Sequence, residues 1–173
     1  MSNILIAYYS LTGNTEQVAA AIFAGLPEPK ALKRIAEVKR LDEYDLVFIG
    51  FPVHSHSIPV PVENWLRGIP KGKKIALFST HGAHTGSRLS REAVEYAVVV
   101  SSQAELISTF SCRGKVSPQA LEVLGRSPEH EVWTEMAASA RTHPDDNDLE
   151  DAANFARRVL TISRDQEGWR SGG

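Results

Sequence analysis

Four continuous apolar runs punctuate the chain: Ile4–Tyr9, Leu46–Phe51, Ile75–Ser79 and Leu106–Phe110. None alternates with polar residues, which is the pattern of strands buried on both faces, as in a parallel sheet. A shorter and more charged segment, Ala31–Ile35, reads as an edge strand. Between the runs the apolar positions switch to helical spacing. Asn14–Ala24 carries Val18, Ile22 and several alanines for burial. Val60–Arg67 has Pro61 in its first turn and Gly68 after its end, both favoured positions. Arg88–Val100 follows a Gly-Ser start. Asp148–Ser163 places Leu149, Ala152, Ala153, Ala156, Val159 and Leu160 on one face. Its first turn is acidic and Arg157, Arg158 and Arg164 come later, which complements the helix dipole. Strands alternating with helices predict right-handed βαβ units, and so a doubly wound α/β domain of three layers with five parallel strands.

Residues 113–147 break this rhythm. Pro118–Leu124 and His130–Ala140 predict short helices, separated by Gly125-Arg126-Ser127-Pro128. Two readings stay open for this insertion: a surface for a partner, or two helices that simply cover the sheet. The domain is expected to span residues 1–165, with the polar, Gly-rich stretch 166–173 as a flexible tail.

The first apolar run leads directly into Ser10-Leu11-Thr12-Gly13-Asn14-Thr15 and then into a helix. This turn suits a phosphate. A helix start offers unpaired backbone N–H groups and the positive end of the helix dipole. Ser10, Thr12 and Thr15 add hydroxyls, Asn14 adds an amide, and Gly13 lets the backbone turn closely. The loop has neither the Lys of a triphosphate loop nor the spaced glycines of a dinucleotide loop. A single phosphate held by neutral donors fits better.

Composition narrows the function classes. In 173 residues there are 19 basic and 21 acidic side chains, a net charge of −2 that gives no argument for nucleic acid. No apolar segment approaches the roughly 20 residues that span a bilayer, and no signal-type segment precedes the first strand, so the chain reads as cytoplasmic. A single cysteine, Cys112, excludes an internal disulfide. It is either a thiol activated by neighbouring Arg113 and Lys115 or, as burial preference favours, a small apolar filler. Lys71, Lys73 and Lys74 form a basic cluster, and acidic residues concentrate at 145–151.

The pattern Ser-x-Thr-Gly-Asn-Thr after an N-terminal strand closely resembles the phosphate loop of flavodoxins, and the resemblance extends over about residues 3–163. It implies a flavodoxin-like sheet of order 2-1-3-4-5 and non-covalent FMN. Gly50-Phe51-Pro52-Val53 resembles the start of the family's second loop, which covers one face of the flavin ring. The resemblance then places Pro52, Val53, His54, Ser55, His56 and Ser57 at the ring, with His54 where an aromatic is usual. Thr80-His81-Gly82 resembles the third loop, whose backbone bonds the ring's pyrimidine edge. Thr80, His81, Gly82, Ala83 and Gly86 are the implied contacts, the glycines allowing close approach and a peptide flip on reduction. His84 lies in the same loop.

Four histidines, His54, His56, His81 and His84, thus fall in two loops predicted to meet. A metal reading is disfavoured because neither loop holds an Asp, Glu or Cys ligand. The loops contain no carboxylate, so the resemblance implies a less negative potential than an acidic flavodoxin's, rising as loop histidines protonate. The function implied is an electron carrier delivering electrons to a redox partner protein, as a monomer or weak homodimer. Two alternatives remain: an FMN-dependent oxidoreductase of quinone-reductase or protoporphyrinogen-oxidase type, and a non-redox interaction module of the same fold.

Overall fold

The computed structural model describes residues 2–54 and 56–171. Five parallel strands form one sheet: β1 (Ile4–Tyr8), β2 (Lys30–Arg34), β3 (Leu46–Pro52), β4 (Lys74–His81) and β5 (Glu105–Arg113). Their order is β2-β1-β3-β4-β5, as the resemblance implies. The helices are α1 (Asn14–Gly25), α2 (Val60–Arg67), α3 (Arg88–Val100), α4 (Pro118–Gly125), α5 (Glu131–Ser139) and α6 (Asp146–Ser171). No helix among the described residues is long and apolar enough to cross a membrane.

The two faces of the sheet make two cores, and the period of two along a strand sorts the residues between them. Ile4, Ile6 and Tyr8 of β1 pack with Val18 and Ile22 of α1 and Phe155, Ala156 and Val159 of α6. Leu5 and Ala7 point the other way, toward Val62 and Leu66 of α2 and Ala97 of α3. β1 and β4 are buried throughout, and β3 is buried except at Pro52, where it runs into the loop. β2 lies at one edge, only half-buried, as its charged residues predict. Gly50 is obligatory in β3, because a Cβ there would stand 2.1 Å from the Phe78 ring.

β4, β5 and α6 depart from the expected bounds by more than one residue. β4 runs on through Thr80 and His81, which pair with Cys112 and Arg113 of a longer β5. α6 starts at Asp146, ahead of the predicted 148, because a reciprocal cap sets its entry: Asp145 N–H donates to Asp148 Oδ2 and Asp148 N–H to Asp145 Oδ1, both at 2.9 Å. α6 also continues to Ser171, so 166–171, expected as flexible tail, is helical; Gly172 and Gly173 lie outside the described residues. The basic cluster dissolves as a surface feature. Lys74 is buried with its Nζ donating to Ser163 O at 2.9 Å, and Lys73 donates to Tyr44 O at 2.5 Å.

Candidate functional site

The C-terminal ends of β1, β3 and β4 open onto one edge, where an open α/β sheet builds its ligand sites. At the first strand the chain leaves Tyr8 and reaches α1 through Gly13, whose φ of 92° is open to glycine and strained for other residues. No side chain caps α1 among the described residues, which leaves its first-turn N–H groups for a ligand. Ser10 Oγ accepts Gly13 N–H at 3.1 Å, and Thr12 Oγ1 accepts from Asn14 Nδ2 at 3.3 Å. Each hydroxyl accepts one bond and keeps its own proton to donate. Leu11 and Thr12 are exposed at the loop tip. Glu16, the acidic residue of the first turn, is engaged by the Tyr8 hydroxyl at 2.7 Å and by Arg34 at 3.3 Å.

Asn14 and Thr15 have a different task from the outward donors. Both are buried. The hydroxyls of Thr15 and Thr80 lie 2.8 Å apart, joining the first loop to the end of β4. Asn14 Nδ2 donates to Lys115 O at 2.8 Å, joining it to the chain after β5. Gly114 makes room for that contact, since a Cβ there would meet Asn14 Nδ2 at 2.7 Å. Asn14 Oδ1 remains buried without a partner among the described residues. A loop that leads into an uncapped helix start and whose interior side chains are tied down fits a phosphate group.

The second loop leaves β3 at Pro52. Val53 N–H donates to Thr80 O at 2.8 Å, and His54 and Ser57 exchange two backbone bonds of 2.9 Å across a tight turn. His56 sits in that turn at φ 66°, a left-handed conformation that His tolerates better than most residues. Ser55 lies outside the described residues. His54 and His56 are exposed.

In the third loop the predicted residues part company. Thr80 and His81 belong to the strand and are buried, as is Ala83. His81 Nδ1 bonds Ala83 O at 2.9 Å, and its Nε2 has no partner among the described residues. Burial pushes the His81 imidazole below its ordinary value, with Arg113 adding to this against the opposing pull of Ala83 O and Asp148. His81 is therefore neutral at pH 7 and drops out of the expected pH response of the loop histidines. Gly82 makes its close approach to Val116, 2.5 Å from where a Cβ would sit. Gly86 supplies a left-handed turn at φ 77°, and His84 is exposed.

The insertion reaches this same edge, which sequence reasoning did not show. On α5, the Trp133 indole meets the His56 ring edge-on, with centroids 5.2 Å apart. Three residues further along the helix, Met136 Sδ accepts His84 N–H at 3.3 Å, and Met136 O accepts from Arg113 at 2.7 Å. Arg113 also donates to Ser139 Oγ at 2.7 Å. The amphipathic pattern of 130–140 marks a helix, but nothing in it specifies which surface that helix covers.

Two further groups lie nearby. Cys112 is buried, and burial raises its thiol to about 12, helped by Asp148, Asp145 and Asp151. It is a filler, not a nucleophile, at neutral pH. His143, Asp145 and Asp148 place ligand-type atoms within 4.8 Å of one another. Their bonds are those of the α6 cap, completed by His143 Nδ1 against Asp148 Oδ2 at 2.6 Å.

A flavodoxin domain model matches residues 5–157 of the sequence. The chain belongs to the flavodoxin domain family. It is 29% identical over 168 residues to the flavodoxin-like domain-containing protein BilS of Clostridioides difficile (strain CD3), a match covering 90% of this chain and 95% of that protein. Among solved structures it is similar to oxidised Flavodoxin 2 from Bacillus cereus, at TM-score 0.62 and 24% identity, covering 92% of this chain and 99% of that one. It also resembles a flavoprotein from Lactobacillus acidophilus NCFM in complex with FMN, at TM-score 0.53 and 19% identity, covering 64% and 93%. At these identities the structural likenesses establish the flavodoxin fold.

Proposed function

We propose that this flavodoxin-family chain binds FMN and carries electrons to a separate redox partner protein. The observation that carries the reading is the phosphate end: an uncapped α1 start, entered through a left-handed Gly13 and flanked by Ser10 and Thr12 hydroxyls with protons to give. Ser10–Thr15 would hold the phosphate, and the segments 52–57 and 80–86 would border the ring. Bound FMN supplies reversible one- and two-electron transfer. The protein supplies binding, exclusion of water and the electrostatic setting.

What the less exposed side chains at this edge do favours a carrier over direct turnover of a small substrate. Three acid–base groups at this edge are already committed, while His54, His56 and His84 are exposed. His81 is buried and held neutral, Asp148 serves the α6 cap and His143, and the Cys112 thiol stays protonated. None of these three is free to shuttle protons to a substrate.

The visible absorption spectrum of the purified protein, before and after addition of FMN and desalting, tests this reading. Flavin bands that survive desalting and are released on denaturation are the expected result. A protein that stays colourless overturns it in favour of a non-redox interaction module. Rapid oxidation of NAD(P)H by the loaded protein alone would replace the carrier with a direct oxidoreductase.

A further inference from the structure

The three edge segments, 10–15, 52–57 and 80–87, contain no Phe, Tyr or Trp. A flat aromatic ligand settled among them would lie against imidazoles, small side chains and backbone, which bury little apolar area. The insertion brings what these segments lack. Trp133 and Met136 stand three residues apart on one face of α5, the spacing that puts them side by side. Trp133 touches His56 of the second loop, and Met136 touches the backbone of His84 in the third. Arg113 fastens that face to the end of β5 through Met136 O and Ser139 Oγ. Trp133 and Met136 are both half-buried, so each keeps apolar surface beyond its present contacts.

We infer that α5 is the wall of the flavin-ring site, and that Trp133 is the ring-contacting aromatic of this chain. This rests on the FMN reading above. It assigns the insertion to the cofactor, with Met136 as an adaptable apolar neighbour and His56 holding the indole in place. Residues far from the three edge loops in sequence thereby set the ring's environment.

The test titrates FMN into the cofactor-free wild-type protein and the Trp133→Ala variant, with thermal unfolding of each as the fold control. Loss of the indole is expected to weaken FMN binding by roughly tenfold to a hundredfold, the range for one base-like ring on one aromatic. Trp133→Phe keeps the helix packing and covers the case in which the alanine variant does not fold. Indole quenches flavin emission on contact and phenyl does not. At saturating FMN, the flavin emission of Trp133→Phe should therefore rise above wild type while affinity stays within a few-fold. Unchanged affinity in the alanine variant, or unchanged emission in the phenylalanine variant, overturns the inference and leaves the FMN reading standing. Failure of the wild-type protein itself to bind FMN overturns both.

Discussion

The two ends of the candidate site are built in opposite ways. The phosphate end is six consecutive residues that lead from β1 into α1, and the donors it offers are the uncapped helix-start amides and two hydroxyls. The ring end is assembled from the second loop, the third loop and α5, which lie about 25 to 75 residues apart along the chain. Local order at the first end comes from a strand, a glycine and a helix start. Order at the second depends on tertiary contacts, an edge-on ring pair and a sulfur hydrogen bond. The compact motif draws its shape mainly from local geometry and is anchored by Asn14 and Thr15 to Lys115 and Thr80, whereas the composite wall exists only once the fold has closed.

The largest expected effect lies at the phosphate end. Ser10→Ala with Thr12→Ala removes two hydroxyl donors that would face an anion. Hydrogen bonds to charged groups contribute about 1.5–3 kcal/mol each, so FMN affinity should fall roughly a hundredfold or more. Thermal stability should change little, because Thr12 is exposed and Ser10 half-buried. A small change in affinity would erase the contrast between the two ends.

Next comes the tether from the phosphate end to the chain after β5. Asn14→Ala strips the Lys115 carbonyl of its side-chain donor and should cost about 1–3 kcal/mol in urea denaturation. Hydrogen exchange should rise in residues 114–117 before the central strands. Protection that falls uniformly would mean that Asn14 serves the whole fold and not the seam.

A smaller, pH-dependent effect comes from His81. Its folded pKa lies below the ordinary 6.5, so between the two values the unfolded chain holds more proton than the folded one. Stability is full above pH 6.5 and falls as the pH drops through that window. His81→Gln should flatten this part of the urea-midpoint profile between pH 5 and 8. An unchanged slope would assign the acid sensitivity to other groups. The smallest effect is expected at the surface of the insertion. Arg126 and Glu122 pair at 2.7 Å with both side chains largely exposed, so Glu122→Gln should shift stability by at most about 0.5 kcal/mol.

These contrasts also mark how far the sequence could be read. Apolar runs located β1, β3 and the body of β4, because strands buried on both faces leave an unmistakable pattern. Pattern reading stopped at Ser79, although β4 continues for two residues, because Thr80 and His81 are polar. They are buried by specific bonds, a threonine pair and Nδ1 to Ala83 O, which hydropathy does not register. The α6 extension past Ser163 was hidden for a related reason, since its last turns carry no apolar stripe. In the phosphate loop the residue types were legible, but the division between half-buried Ser10 and exposed Thr12 on one side and buried Asn14 and Thr15 on the other was not. That division depends on Lys115 and Thr80, distant in the chain. Trp133 was least legible of all, since its role comes from where α5 docks.

The most direct test of the phosphate site compares FMN with riboflavin, which carries the same ring and ribityl chain without the phosphate. Titration of both into the cofactor-free protein, followed by flavin fluorescence at fixed ionic strength, isolates what Ser10–Thr15 contribute. FMN is expected to bind at least about a hundredfold more tightly, in line with several charge-assisted hydrogen bonds at the α1 start. Equal affinities would contradict the account, because the loop would then not be a phosphate site.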